Sequence, residues 1–415
     1  MIIKMMHFLR RVRAQSVPAS PGRGGPLTGV RVVALEHSVA GPLTSRILRE
    51  FGAEVVKVEH DHGDFARHWD TNVAGDCAQF WWLNRGKKSA MLNLREPGDR
   101  EVFDELLRKA DVFVHNLAPP SATRLGLNRA SLERAYPHLI NCQISGYGAS
   151  GRSVNRKAYD MLVQAESGVM SLTGTPEQPM RTGVSISDVS TGLYASLLIL
   201  GALRERDRTL KGRYLDVAMI DATLEFLGPM LISYLNAGVV YPRLPDRHHA
   251  IAPYGAFECK DGRKLVIAIE QDMEWVRFCT AVLGVPGLAN DLRFGRNLDR
   301  LENRVELDAI LAELIAGIES DALIEGLERA GLAYARINDI SSVAAHPAVE
   351  DRRIIDDFVT ANGDRIRSHV GLVERTFSAH DRRQRSRPPL PGEDTDEVTR
   401  HTEASRDFHD VIPMP

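Results

Sequence analysis

The feature that most limits the fold is a β-branched run, Val30 to Leu35 (VRVVAL), followed by a Gly41-Pro42 turn and a helix-like stretch from Leu43 to Phe51. A second run, Glu54 to Val58 (EVVKV), comes directly after Gly52. Strands apolar on both faces need a sheet covered on both sides, and two such strands joined by one helix within about thirty residues form a parallel βαβ unit. The alternation then resumes. Arg100 to Ala110 reads as helix, Asp111 to His115 (DVFVH) as strand, Ala130 to Tyr136 as helix and Leu139 to Ser145 (LINCQIS) as strand. A long helix from about Ser190 to Asp207 and the strand Tyr214 to Ala218 (YLDVA) extend the series. The expected fold is α/β, with an open, doubly wound, Rossmann-like large domain over residues 26–225.

The texture changes beyond Leu235. Pro242, Pro245 and Pro253 surround a basic loop, Arg247-His248-His249. Gly255 to Cys259 and Lys264 to Ile269 flank Lys260-Asp261-Gly262-Arg263, where Asp-Gly signals a hairpin. Residues 272–335 read mostly as helices. This pattern predicts a smaller α+β domain over 226–345. A return segment over 346–400, with a strand-like stretch from Arg365 to Val373, leads back to the large domain, and 401–415 form a polar tail. The first 25 residues carry Lys4, Arg10, Arg11, Arg13 and Arg23 and no acid. They read as a disordered extension, with an organelle transit peptide as the alternative.

Bulk properties narrow the function. A net charge of −3 supplies no overall field for nucleic acid or an anionic membrane, so neither is an expected partner. No unbroken apolar run approaches the about 18 residues that span a bilayer. The most apolar stretch, Leu193 to Leu203 (LYASLLILGAL), reads as a buried helix. Four cysteines without a CxxC pair argue for reduced thiols and a cytoplasmic protein, or a mitochondrial one if the basic start is a transit peptide. Neither this spacing nor any other cluster suggests a metal site.

The turn after the first strand, Glu36-His37-Ser38-Val39-Ala40-Gly41-Pro42, has no GxGxxG, and the chain has neither a GxxxxGK[ST] loop nor a GxSxG elbow. The informative segment is Gly183 to Gly192 (GVSISDVSTG), where Asp188 stands among small polar residues before an apolar helix. An aspartate at a helix N-cap accepts backbone N–H bonds at the positive dipole end and stays ionised. An ionised, positioned carboxylate is also what attack on a thioester requires. From the residues alone both roles stay open, and the cap is the commoner.

The surrounding motifs resemble family III CoA-transferases of the CaiB/BaiF type, the group of formyl-CoA transferase and carnitine CoA-transferase, to which α-methylacyl-CoA racemase is related. The similarity runs from about Leu27 to Val398. It opens with LTGVRVVALEHSVAGP and continues through FGAEVVKVEH, the Gly63-Asp64 turn, LNRGKKSAMLNL and ADVFVHNLAPPSATRLGL. ISGYGASG, YDMLVQAESGVMSLTG, GVSISDVSTGLYA, GRYLDVAMIDA and LPGEDTDEV follow in order.

The resemblance implies an acyl-CoA:carboxylate CoA-transferase in which Asp188 is the nucleophile. Mixed-anhydride and aspartyl-CoA thioester intermediates are formed, with no tightly bound cofactor. The CoA thioester is itself a substrate, and the other is a small carboxylic acid. Val39 and Ala40 match the loop beside the thioester. Val39 stands where the family often has Gln, which leaves any oxyanion role to backbone N–H groups. The resemblance places CoA against His60, against Leu92, Asn93, Leu94 and Arg95, against Asn116, Leu117 and Ala118, and against Arg124. Lys157, Ala158, Tyr159 and Asp160 complete the set. His60 replaces an Arg of formyl-CoA transferase, whereas Arg124 and Lys157 can each neutralise phosphate.

The racemase alternative turns on Tyr159. The racemase has a His there for proton transfer, and Tyr, with a reference pKa near 10, is a poor base at neutral pH. A non-catalytic CoA-binding protein is the third reading, in which Asp188 is only structural. No glycine-rich run matches the loop that closes over the intermediate in formyl-CoA transferase, which disfavours oxalate. The corresponding region, with Arg247, His248 and His249, is a candidate contact for the distal carboxylate of a dicarboxylate such as succinate. The family also implies an interlocked, ring-shaped homodimer.

Overall fold

The alternating apolar runs form strands whose side chains split between two layers. In β1 (Arg31–Leu35), Val32 and Ala34 join one core cluster while Val33 joins another on the opposite face. β2 (Glu54–Glu59), β3 (Lys88–Met91), β4 (Val112–His115), β5 (Ile140–Ser145) and β6 (Arg213–Ala218) complete a six-stranded sheet. Its order is β3-β2-β1-β4-β5-β6 and every pairing is parallel. A computed structural model describes residues 25–377 and 387–406. The basic segment 1–25, apart from Gly25, and the tail beyond 406 lie outside the described residues.

Helices cover both faces of the sheet. One layer holds α1 (Ala40–Glu50), which begins ahead of the expected start at Leu43. Pro42 is accommodated because a first-turn residue has no intrahelical use for its N–H. α2 (Ala78–Asn84) lies beside it, capped by the apolar contact of Leu83 with Val39, Leu43 and Ile47. The opposite layer is built on α3 (Pro97–Lys109), whose Val102, Phe103 and Leu107 pack on Val33, Val58 and Phe113. α4 (Pro119–Arg124) and α5 (Arg129–Ala135) extend it, and α6 (Asp160–Ser167) follows β5.

The long helix α7 (Ile186–Thr209) starts a turn earlier than expected. It packs on α1 so closely that a Cβ on Gly192 would lie 2.9 Å from Leu43 Cβ. Among the described residues, α7 is the one helix long and apolar enough to cross a membrane, and half of its most apolar window is buried inside the fold. Its apolar residues are interrupted in sequence, which is why no unbroken run reveals it.

The chain divides into two compact units. The first contains Met1–Ser167, Gly183–Phe226 and Glu350–Pro415, and the second contains Gly168–Thr182 and Leu227–Val349. The segment 168–182 thus groups with the second unit, although the sequence reading put it in the large domain. In the first unit, the LPGEDTDEV motif covers the sheet's edge strand. Ser89 N–H donates to Asp394 Oδ2 at 2.8 Å, Asp394 N–H to Ser89 O at 2.9 Å, and Met91 N–H to Thr395 Oγ1 at 2.9 Å. An edge satisfied in this way offers few free groups for further strand pairing. In the second unit, β7 (Tyr254–Glu258), β8 (Lys264–Ala268) and β9 (Ala333–Arg336) form an antiparallel sheet over a core of Trp275, Phe278, Leu311 and Leu327. The stretch from Arg365 forms strand only to His369, and helix resumes over Leu372–Phe377.

Candidate active site

The segments that the resemblance assigns to CoA gather at one edge of the large sheet. Val39 and Ala40 follow β1, His60 follows β2, Leu92 to Arg95 follow β3, Asn116 to Ala118 follow β4, and Lys157 to Asp160 follow β5. All are carboxyl ends of parallel strands, where doubly wound folds bind their ligands. β1 and β4 are neighbours in the sheet, and the strand order reverses between them. At that switch point His37 N–H donates to Asn116 Oδ1 at 3.1 Å, and Asn116 Nδ2 donates back to His37 O at 2.8 Å.

Asp188 sits on the first turn of α7, three residues into the helix, and not at the N-cap, which is Ser185. The capping carboxylate is Asp160. Its Oδ1 accepts from Ser187 N–H at 2.9 Å and from Asp188 N–H at 3.3 Å, while its Oδ2 accepts from Gln164 Nε2 at 2.6 Å. Burial and then the charge of Asp160 push the Asp188 carboxyl up to about 7. The expectation of an ordinary, fully ionised cap is therefore corrected. A buried carboxyl next to a second carboxylate loses solvation of its charged form and gains repulsion. Val189, the next residue, packs with Val39, Leu43 and Ile47, which sets the start of α7 beside the start of α1.

The loop from Glu36 to Pro42 rests on charged groups that are almost completely buried. Lys57 Nζ donates to Asp64 Oδ2 and to Glu36 O, both at 2.9 Å. Lys87 Nζ donates to Glu36 Oε1 at 2.8 Å and to Pro42 O and Asn84 Oδ1 at 2.9 Å. Burial brings Lys87 down to about 8 despite its acid partner Glu36. Above this cluster Ser38 adopts φ +67°, a left-handed conformation that costs a non-glycine residue about 1–3 kcal/mol.

The model of CoA-transferase family III matches residues 27–395. The chain belongs to CoA-transferase family III. Relatives carry the same activity in their names. The chain is 36% identical to the acetyl-CoA:oxalate CoA-transferase of Acetobacter aceti over 344 residues, 82% of this chain and 87% of that one. It is 33% identical to the succinate–glutarate CoA-transferase of Agrobacterium fabrum, covering 83% and 88%. With the succinyl-CoA:glutarate CoA-transferase of Mus musculus the identity is also 33%, covering 92% and 88%. A solved CaiB/BaiF family protein from Brucella suis superposes with a TM-score of 0.77 at 33% identity, covering 92% of this chain and all of that one. The protein is a CoA-transferase, acting between acyl-CoA and carboxylic acids.

Within this family III transferase the remaining candidate residues fall into distinct settings. Arg124 and Lys157 are exposed, with Arg124 donating to Ser121 Oγ at 2.8 Å. Leu92 is buried, Leu94 is half-buried, and the backbone N–H of Asn93 donates to Asp99 Oδ2 at 2.7 Å. Leu117 is half-buried, Ala118 is exposed, and Ala158 lies against Gly146, where a Cβ would collide with its side chain. Tyr159 is 64% exposed. His60 pairs with Asp61 on an exposed turn, and with His62 they bring three ligand-type atoms within 4.8 Å of one another. Such exposed groups are common without an ion.

The basic loop lies in the second unit and is largely engaged there. Arg247 pairs with Asp246 at 3.0 Å and with Asp308 at 3.1 Å, and its guanidinium covers the Phe257 ring. His248 stacks on Tyr254, and His249 Nε2 lies 3.0 Å from Pro242 O. Sequence reasoning missed the buried quartet of Glu36, Lys57, Asp64 and Lys87. The signal was there, since Lys57 interrupts the apolar middle of β2, but its partners come from other segments. It also missed the exposed pair Phe65 and Trp69, whose rings lie 5.7 Å apart, with Phe65 against His37.

Proposed function

We propose that this transferase works by covalent catalysis on Asp188 and exchanges CoA between dicarboxylic acids. The observation that carries the reading is the placement of Asp188: a partly buried carboxyl on the first turn of α7, beside Asp160 and the loop 37–41, where these surroundings push it up to about 7. A carboxylate of raised basicity is a stronger nucleophile once ionised, and near neutral pH half of it is ionised. Its oxygen attacks the thioester carbonyl, the C–S bond breaks, and CoA leaves as thiolate, giving a mixed anhydride. The thiolate then attacks the aspartyl carbonyl, releasing the first acid as carboxylate and leaving an aspartyl-CoA thioester. The acceptor carboxylate runs the same two steps in reverse. Every step moves an electron pair between oxygen, carbon and sulfur, so no metal or redox cofactor enters the scheme.

In this reading the CoA phosphates meet the exposed Arg124 and Lys157, and the pantetheine arm follows the carboxyl edge past Leu92 to Arg95 and Asn116 to Ala118. The acids named for the relatives, glutarate, succinate and oxalate, support a dicarboxylate as donor or acceptor. The Acetobacter relative keeps oxalate in the test panel even though this chain has no glycine-rich loop.

The working form is a homodimer. α7 leaves Leu193, Leu197 and Leu198 exposed along one stripe, and the helix Gly228–Ala237 buries none of its residues despite Leu231, Ile232 and Leu235. Apolar stripes of this extent mark surfaces that a partner covers. Four free, buried cysteines suit a reducing compartment, and the cytoplasm is our placement, or mitochondria if residues 1–25 direct import.

A panel of acetyl-, succinyl- and glutaryl-CoA against mono- and dicarboxylic acids tests the reading, with hydroxylamine added under turnover. Succinate or glutarate as preferred acid and a hydroxamate on Asp188 are expected. Transfer that survives Asp188→Ala would overturn the mechanism, and exchange of the α-hydrogen with solvent would favour the racemase instead.

A further inference from the structure

The loop 37–41 lies beside Asp188, and the buried charges beneath it hold it in place. Ser38 has φ +67°, and its N–H donates to Asp64 Oδ1 at 3.3 Å. The same Oδ1 accepts Ala66 N–H at 2.9 Å, and Asp64 N–H donates to Glu59 Oε2 at 2.8 Å, so the carboxylate is fixed from its own backbone outward. Lys57, wholly buried, holds the other oxygen at 2.9 Å and ties Glu36 O at the same distance. The far side of the loop is held by Asn116 on the backbone N–H and C=O of His37. Immediately beyond, the N–H groups of Val39, Ala40 and Gly41 enter none of the backbone hydrogen bonds of the described residues.

We propose that Asp64, seated on Lys57, is a positioning residue that locks Ser38 in its left-handed conformation and thereby presents the N–H groups of Val39 and Ala40 to the thioester carbonyl oxygen. The proposal rests on the reading of Asp188 as nucleophile. Preorganised N–H donors stabilise the charge that develops on that oxygen as Asp188 attacks, and they act more strongly on the transition state than on bound substrate. Val39 has no side-chain amide to share the task, so backbone geometry carries all of it. Without the hydrogen bond from Ser38 N–H to Asp64, a serine relaxes toward negative φ and turns the following peptide groups away. A glycine has no such preference and tolerates positive φ unaided.

The test is a rescue experiment on the full-length enzyme. Asp64→Ala is made alone and together with Lys57→Met, which removes the ammonium that would otherwise lose its buried partner; whichever variant gives a cooperative thermal transition is assayed. We expect kcat to fall about 100-fold while KM for the CoA thioester changes less than about threefold, in line with the loss of one oxyanion donor. Adding Ser38→Gly to the same variant restores kcat about tenfold. A purely structural role for Asp64 lowers stability and is not relieved by glycine at 38. The proposal is overturned if the folded variant keeps kcat within threefold of wild type, if the loss falls on KM, or if Ser38→Gly gives no recovery. Failure of the underlying reading shows separately, as transfer activity that survives Asp188→Ala in the otherwise unaltered enzyme.

Discussion

Two carboxylates at the same edge of the large sheet, one buried and one partly buried, are driven in opposite directions. Glu59, at the end of β2, is 4% exposed, and Asp188 lies partly buried at the start of α7. Burial alone raises both. Glu59, however, meets Arg67 through two hydrogen bonds of 2.6 and 2.9 Å and accepts from Ser89 Oγ at 2.7 Å, and these with Lys57 carry it down to about 2. For Asp188 burial is joined by the like charge of Asp160, and the carboxyl rises to about 7. The difference separates two uses of an acid. Glu59 is matched to a cation and is fixed as part of the scaffold under the Gly63-Asp64 turn. Asp188 carries an unmet cost for its charge, which fits the nucleophilic role proposed for it.

The largest effect that can break this contrast is on activity. Asp188→Ala should lower kcat at least about 10³-fold, as loss of a covalent nucleophile does elsewhere, while the thermal unfolding midpoint stays within a few degrees of wild type. A variant with much activity left would put Asp188 in the same scaffold class as Glu59. The next effect is on stability. Arg67→Ala leaves Glu59 buried without its main partner, and unfolding in urea should show a loss of about 3 kcal/mol. If stability is unchanged, the low value of Glu59 has another origin.

The two acids should also answer pH with opposite signs. Glu59 has a folded value below its unfolded one, so its stabilisation is full above about pH 4.5 and is lost as pH falls toward about 2. The shift corresponds to about 3 kcal/mol. Asp188 has a folded value above its unfolded one, so its contribution is full below about pH 4 and is lost as pH rises through about 7. Asp188→Asn should therefore be more stable than wild type at pH 8 and lose that advantage toward pH 4. In the wild type kcat/KM should climb about tenfold per pH unit below 7 and level off above it. A flat profile from pH 5.5 to 8 would mean that Asp188 ionises as an ordinary surface carboxylate.

Much of the scaffold was legible because parallel strands buried on both faces leave unbroken β-branched runs: VRVVAL, EVVKV, DVFVH and LINCQIS all became strands of the six-stranded sheet. β3 escaped notice because KSAM is short, polar at its first two positions and completed by the distant Asp394 and Thr395. Asp188 was found through motifs and not through physics, and its local geometry was misread for a reason the sequence cannot display. The cap that lets α7 begin at Ile186 is supplied by Asp160, 28 residues upstream of Asp188. The buried quartet follows the same rule. Lys57 and Lys87 show no partner along the sequence, because Glu36 and Asp64 are brought to them only by the fold.

Asp160 offers the finest test of the comparison, and the smallest expected effect. Asp160→Asn keeps an oxygen that can accept from Ser187 and Asp188 N–H, so the cap survives, but it removes the like charge beside the proposed nucleophile. Burial is the larger cause of the raised value and remains. The midpoint of the kcat/KM profile should accordingly move down by no more than about one pH unit, which is about 1.4 kcal/mol of electrostatic repulsion. At pH 6 the variant gains ionised nucleophile, while at pH 8, where Asp188 is ionised in both, the lower basicity of the carboxylate leaves it slower than wild type. A crossing of the two profiles is therefore the signature of a charge that tunes Asp188. Parallel profiles with a uniform loss would assign Asp160 to the cap alone.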